Sequence, residues 1–128
     1  MSIRVVRLGS PRSRGEGLRI GTVRRPPRGV PRERLRAGNW YDVWLPLLSP
    51  SPAAIRIAQG AATDEAWAAF ARRYRAEMAR PDASRVLDLL AALSHLADVA
   101  VGCYCADERR CHRSLLRELL VSRGAKVR

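Results

Sequence analysis

The sequence lacks any long apolar segment. No run of about 18 or more uncharged apolar residues occurs among its 128 residues, so we expect no membrane-spanning helix. The first residues also lack the apolar stretch and small-residue cleavage site of a secretory signal, which predicts a cytoplasmic, reducing location. There is only one Phe, beside three Trp and three Tyr, and therefore Leu, Val and Ala must form most of the core.

Lysine is nearly absent, because Lys126 is the only lysine among 24 basic residues. The formal net charge is nevertheless +12, and residues 1–36 hold eleven arginines against two glutamates. So strong a positive field attracts polyphosphates, which predicts an anionic small molecule or a nucleic acid as partner. Biased codon usage in an Ala-rich chain would give the same excess of arginine without any function.

The hydrophobic pattern predicts one domain over residues 1–128. Short β-branched runs at 3–8 and 18–23 read as strands, and the basic segment 24–29, with Pro26 and Pro27, reads as a loop. Helices are expected at 63–79, with Thr63 as N-cap, and at 84–97, where Val86, Leu89, Leu90, Leu93 and Leu96 would be buried. A buried strand at 99–103, a helix at 111–122 capped by Gly124 and an edge strand at 125–128 follow. This order predicts an α/β fold, a small mainly parallel sheet sandwiched by helices.

The three cysteines all lie at the end of the predicted central strand and at the start of the last helix. A helix N-terminus beyond the carboxyl end of a parallel strand binds anions well. Cys111 and His112 are therefore the candidate catalytic residues, a thiol nucleophile with lowered pKa and its general acid or base. Arg113 would bind the ligand. An anion site without covalent chemistry and a purely structural role are the alternatives.

Further ligand-binding candidates surround this stretch. Cys103 and Arg109 have the C-x5-R spacing of phosphate-binding loops in protein tyrosine phosphatases, although no glycine lies between them. Arg24, Arg25 and Arg28 would face the site across a cleft, and Asp42 lies in an aromatic segment suited to a pocket wall.

Zinc is a weaker alternative for the cysteine cluster. Cys103, Cys105, Cys111 and His112 supply four soft ligands, but C-x-C followed by adjacent Cys-His is not a usual structural-zinc spacing. Residues that alternate along a strand also point to opposite faces. We therefore predict no metal and no cofactor.

The segment from Cys103 to Leu116 resembles the signature of the domain of unknown function 488 family, in which Cys-His-Arg opens a helix after an apolar strand. The Arg-Pro-Gly segment at 24–29 and the Asp-x-Trp segment at 41–46 resemble the same family. The aromatic helix resembles its YeaO-like branch through Trp67, Phe70, Tyr74 and Met78. The resemblance implies one α/β domain and marks Cys103, Cys111, His112 and Arg113 as motif positions, but implies no activity. Many relatives have a glutamate where this chain has Cys105.

Together these features predict a small protein that binds a phosphate-bearing or other anionic ligand at the strand-loop-helix carrying Cys-His-Arg. Whether a thiol-dependent reaction follows binding is left open, as is the oligomeric state. The alternative function is a non-catalytic nucleic-acid-binding module that depends on the arginine-rich N-terminal part.

Overall fold

The computed structural model describes residues 1–59, 63–105 and 110–128. Its strands form one four-stranded sheet in the order β1-β4-β2-β3, and every adjacent pair is parallel. The strands are β1 at Ile3–Arg7, β2 at Leu18–Gly21, β3 at Val43–Trp44 and β4 at Val99–Cys103. The helices are α1 at Pro52–Gln59, α2 at Asp64–Met78, α3 at Pro81–Leu93 and α4 at His112–Ser122.

The central strand β4 is buried along its whole length, as its uncharged sequence predicts. It pairs with β1 from Ile3 opposite Val99, and with β2 from Leu18 opposite Val99. Because side chains alternate along a strand, Val99 and Val101 lie on the same face, and both belong to the main core cluster with residues of all four helices. The helices thus cover one face of the sheet.

Loop residues cover the other face of β2. The ring of Tyr41 occupies the space beside Gly21, where a Cβ atom would lie 2.5 Å from Tyr41 Cδ2. Next along the strand, the guanidinium of Arg19 is fully buried and donates to both carboxylate oxygens of Glu16, at 2.7 and 2.8 Å. A buried charge of this kind needs a partner, and Glu16 provides it.

Most sequence predictions for this fold are confirmed. The α/β class and the parallel sheet are correct, and Thr63 caps α2 by accepting a hydrogen bond from the Ala66 N–H at 3.1 Å. Gly124 ends the last helical segment with a φ of 85°, a conformation that glycine adopts without strain. The expected edge strand at 125–128 is reduced to a single bridge between Ile3 and Val127.

The prediction for α3 is wrong at its start and in its buried face. The helix begins at Pro81, which occupies the first helical position, where the missing N–H costs nothing. The helix therefore starts three residues earlier than expected. Leu89 and Leu96 are exposed rather than buried, at 64% and 75%, whereas Leu87 and Leu90 reach the core. The helix α1 and the two-residue strand β3 were not predicted.

No helix in the part of the chain that the structure describes is long and apolar enough to cross a membrane.

A set of ion pairs and hydrogen bonds around Asp42 joins the N-terminal loop to the sheet. Its carboxylate accepts from Arg12 at 2.9 and 3.1 Å, from Arg36 at 3.0 Å and from the Arg19 backbone N–H at 2.8 Å. Burial alone would raise the pKa of Asp42, but these donors outweigh it and hold the pKa below its usual range. The ionised form is therefore the one that the fold stabilises.

Replacing Asp42 with asparagine should lower the free energy of unfolding by about 1–3 kcal/mol at neutral pH, because several donors lose a charged acceptor. Since the pKa of Asp42 is lower in the folded state, its contribution is present above the unfolded pKa of about 4 and is lost as the pH falls through the folded value. The variant should therefore lose less stability on acidification than the wild type. Urea unfolding between neutral and acidic pH measures both effects.

Asp88 provides the control for this comparison. It forms an ion pair with Arg123 at 2.8 Å, but its side chain is 62% exposed. Asp88→Asn should change stability by less than about 1 kcal/mol. An equal loss of unfolding free energy in the two variants would show that the Asp42 contacts stabilise the fold no more than a surface ion pair does.

Candidate functional site

The carboxyl ends of β1, β2 and β4 open into one cavity of about 1120 Å³. Residues that follow each strand line it, and the start of α4 and parts of α1 and α2 complete the wall. Open parallel sheets place their ligand sites at this edge, because the strand-to-helix loops converge there. The position matches the sequence prediction.

Six arginines line the cavity, and no Asp or Glu occurs among the described residues that do so. Three of these arginines donate to protein groups: Arg7 to the Tyr104 carbonyl, Arg24 to the Pro50 carbonyl and Arg110 to the Asp64 carboxylate. The side chains of Arg25, Arg28 and Arg56 are exposed on the cavity wall, and no described carboxylate neutralises them.

Aromatic side chains form part of the same wall. Trp40 and Tyr104 meet edge to face, with ring centroids 6.0 Å apart. The Tyr104 hydroxyl donates to the Arg25 backbone carbonyl at 2.9 Å, which ties the basic loop to the end of β4. Aromatic faces next to guanidinium groups suit ligands that carry both a planar ring and a phosphate.

Two cysteines and a histidine lie together on the cavity lining. The Sγ atoms of Cys103 and Cys111 are 2.8 Å apart, and the Cys111 Sγ lies 3.7 Å from Nδ1 of His112. All three residues are buried, with at most 7% of each exposed. The end of β4 supplies Cys103, and the start of α4 supplies Cys111 and His112.

The orientation of His112 follows from its hydrogen bonds. Nε2 is 2.9 Å from the Thr22 carbonyl oxygen, which can only accept, so Nε2 carries the proton. Burial lowers the pKa of His112 to about 4, which keeps the ring neutral at pH 7. Nδ1 therefore presents a lone pair toward Cys111.

The expected lowering of the Cys111 pKa is wrong. The hydrogen bond with Cys103 lowers the pKa of Cys111, but the hydrogen bond with Cys105 and burial outweigh it, and the net shift is upward. Hydrogen bonds with its neighbours and burial also raise the pKa of Cys103. The pKa of Cys105 is lowered, because Cys103 and Cys111 donate to its sulfur and His112 and Arg113 are close. The thiol that ionises most readily is thus the exposed Cys105.

Only some of the predicted ligand-binding residues line the cavity. Arg25 and Arg28 line the cavity, as does Cys103. Arg113 is 4% exposed, does not appear on the described cavity lining, and donates to the Cys105 backbone carbonyl. Its side chain holds the segment after β4 in place. Arg109 lies outside the described residues, so the C-x5-R pairing has no structural test.

Asp42 is likewise absent from the cavity lining in the part of the chain that is described, because its carboxylate is engaged by Arg12 and Arg36. Sequence reasoning missed Arg7 and Arg56 as lining residues. Arg7 had a usable signal, since it ends β1 and the carboxyl ends of parallel strands meet at one edge. Arg56 had none, because the helix that carries it was not predicted.

The family model described as the active DUF488-N3 subclade, DUF488-N3a, matches residues 3–124 of the chain. No curated protein and no solved structure shows a significant match.

The three thiols should differ in reactivity in the folded, reduced protein. Cys105 should be alkylated by iodoacetamide well before Cys103 and Cys111, because it is exposed and has the lowest thiol pKa of the three. Short labelling pulses followed by peptide mass spectrometry give the rate at each site. The urea-unfolded protein is the control, in which the three rates should become similar. Faster labelling at Cys111 than at Cys105 in the folded protein would contradict this order.

Proposed function

The chain belongs to the DUF488 family, within the active DUF488-N3 subclade. We propose that it binds a phosphate-bearing anion, a nucleotide or a segment of nucleic acid, in the cavity at the carboxyl edge of its sheet. The observation that carries the proposal is the arginine lining without a described carboxylate. A cavity of about 1120 Å³ is large enough for a ligand of nucleotide size.

Phosphate recognition would come from the exposed arginines of two elements that line the cavity. Arg25 and Arg28 belong to the loop after β2, and Arg56 belongs to α1. Guanidinium groups bind phosphate oxygens through two parallel hydrogen bonds, which gives both affinity and orientation. Trp40 and Tyr104 then offer ring faces and edges to a base.

A thiol-dependent reaction in the same cavity is left open by the proposal, since Cys103, Cys111 and His112 line the wall. The earlier assignment of Cys111 as nucleophile with His112 as its acid or base stays a prediction. The raised pKa of Cys111 weakens it, since a thiol attacks as its thiolate. The cytoplasmic location also stays a prediction.

The alternative module built from the N-terminal arginines is less favoured. Three of those arginines are occupied in the fold, since Arg19 pairs with Glu16 and both Arg12 and Arg36 pair with Asp42. Others, such as Arg14, Arg32 and Arg34, are exposed and lie away from the described cavity lining. These two groups of arginine allow the hypotheses to be separated.

The test compares two triple variants that remove the same charge. Arg25→Gln, Arg28→Gln and Arg56→Gln together should weaken binding at least about tenfold, since a charged hydrogen bond contributes about 1.5–3 kcal/mol. The matched control combines Arg14→Gln, Arg32→Gln and Arg34→Gln and should change affinity by less than about threefold through the weaker long-range field. Calorimetry measures the affinity for ADP, and fluorescence anisotropy measures the affinity for a labelled single-stranded oligonucleotide.

The outcome also identifies the source of the phosphate. Binding of ADP that is lost only in the cavity variant supports a nucleotide ligand. Binding of the oligonucleotide alone, lost in the same variant, supports a nucleic-acid segment in the cavity. A larger loss in the control variant, with a steep dependence on salt concentration, would instead support the N-terminal module and overturn the proposal.

A further inference from the structure

We propose that Cys103, Cys111 and His112 form a binding site for a zinc ion on the wall of the cavity. The sulfur atoms of the two cysteines and a ring nitrogen of His112 all lie within 4.8 Å of one another. Two thiolates and one imidazole are a donor set that zinc prefers, and three protein ligands leave one coordination position for water or another ligand. This inference goes beyond anion binding and does not depend on it.

The hydrogen bonds of His112 favour a metal-binding orientation. Histidine ligands usually donate their second ring N–H to a carbonyl or carboxylate, which fixes the ring and leaves the other nitrogen free. Here Nε2 donates to the Thr22 carbonyl at 2.9 Å, and Thr22 itself is held because its backbone N–H and hydroxyl donate to the Gly102 carbonyl at 2.9 and 3.0 Å. The free Nδ1 faces the Cys111 sulfur.

The distances identify the movement that zinc requires. Two thiolates at about 2.3 Å from one tetrahedral zinc lie about 3.8 Å apart, and a thiolate and an imidazole nitrogen about 3.6 Å apart. The Cys111 Sγ and His112 Nδ1 already lie 3.7 Å apart. The two sulfurs, at 2.8 Å, must separate by about 1 Å. The Cys111 side chain makes no capping hydrogen bond to α4, so the movement of its sulfur breaks none.

The spacing objection raised by the sequence applied to a four-ligand site that included Cys105. In the folded chain the compact group contains only one strand residue, Cys103, together with the adjacent pair at the start of α4. Alternation along β4 is therefore no obstacle. Cys103, Cys111 and His112 also all line the cavity, so that a fourth ligand would approach from the open side.

Binding converts two thiols into two thiolate ligands and releases two protons for each zinc ion, with no change of oxidation state. The number of sulfur ligands separates the proposal from its competitors. A site that also used Cys105, the thiol that ionises most readily, would add a third sulfur ligand to the metal without releasing a further proton. A disulfide between Cys103 and Cys111 would instead remove two electrons, require an oxidant and leave no thiol at either position.

The experiment uses the full-length reduced protein with metal removed by chelation. Titration with Zn²⁺ should show about one ion bound and about two protons released per chain, followed by a pH indicator in weak buffer. Cobalt replacing zinc should give sulfur-to-cobalt charge-transfer absorption and the intense visible bands of a tetrahedral site. These readouts on the unaltered chain remain valid even if a ligand variant folds poorly.

Variants then identify the ligands. Cys103→Ser, Cys111→Ser and His112→Gln should each lower zinc affinity at least about a hundredfold, whereas the matched control Cys105→Ser should keep both the affinity and two protons released. Loss of one third of the charge-transfer intensity in Cys105→Ser would overturn the three-residue ligand set. No stoichiometric uptake by the reduced protein, or a chain isolated with a Cys103–Cys111 disulfide and no metal, would overturn the site itself.

The anion titrations described above have a separate readout. Failure to bind ADP or the oligonucleotide would leave the zinc result unchanged. Failure to bind zinc would leave the arginine comparison unchanged, so the two proposals stand or fall independently.

Discussion

The hydrogen bond from His112 Nε2 to the Thr22 carbonyl is the contact that joins the start of α4 to the end of β2. Thr22 in turn donates to the Gly102 carbonyl through both its backbone N–H and its hydroxyl, so the same junction includes β4. With the ring fixed in this way, Nδ1 is left beside the Cys111 sulfur and that sulfur beside Cys103. The wall of the cavity therefore depends on a buried, neutral histidine, and burial is what keeps it neutral.

The positive charge of the chain has two different structural roles, which composition alone cannot separate. Arg19, Arg12 and Arg36 stabilise the loop that covers one face of the sheet through Glu16 and Asp42. A second set comes from β1, the loop after β2 and α1 and lines a single cavity, where no Asp or Glu occurs among the described lining residues. Only the second set produces a field that a bound anion would experience at close range.

The parts of the fold and of the candidate site that could be predicted from the sequence are those that depend on short, local sequence patterns. The strand β4, the helix α2 with its Thr63 cap and the position of the Cys-His-Arg segment all follow from short patterns, and these predictions are confirmed. The start of α3 was missed because Pro81 was taken as a breaker rather than as a first helical residue. The roles of Asp42 and Arg113 could not be read from the sequence, since each depends on partners brought close only by the tertiary fold. The same is true of the Cys111 pKa, where a helix start and nearby cations predicted a fall, but the hydrogen bond with Cys105 and burial raise it.

The central claim is that a phosphate group binds between the arginines at the carboxyl edge of the sheet. Crystals of the protein soaked in tungstate, a heavy oxyanion of similar shape and charge, provide the most direct measurement through anomalous diffraction. The account predicts an anomalous peak inside the cavity, within hydrogen-bonding distance of at least two of Arg25, Arg28 and Arg56. An empty cavity, with tungstate bound only at the exposed Arg32 and Arg34, would contradict it.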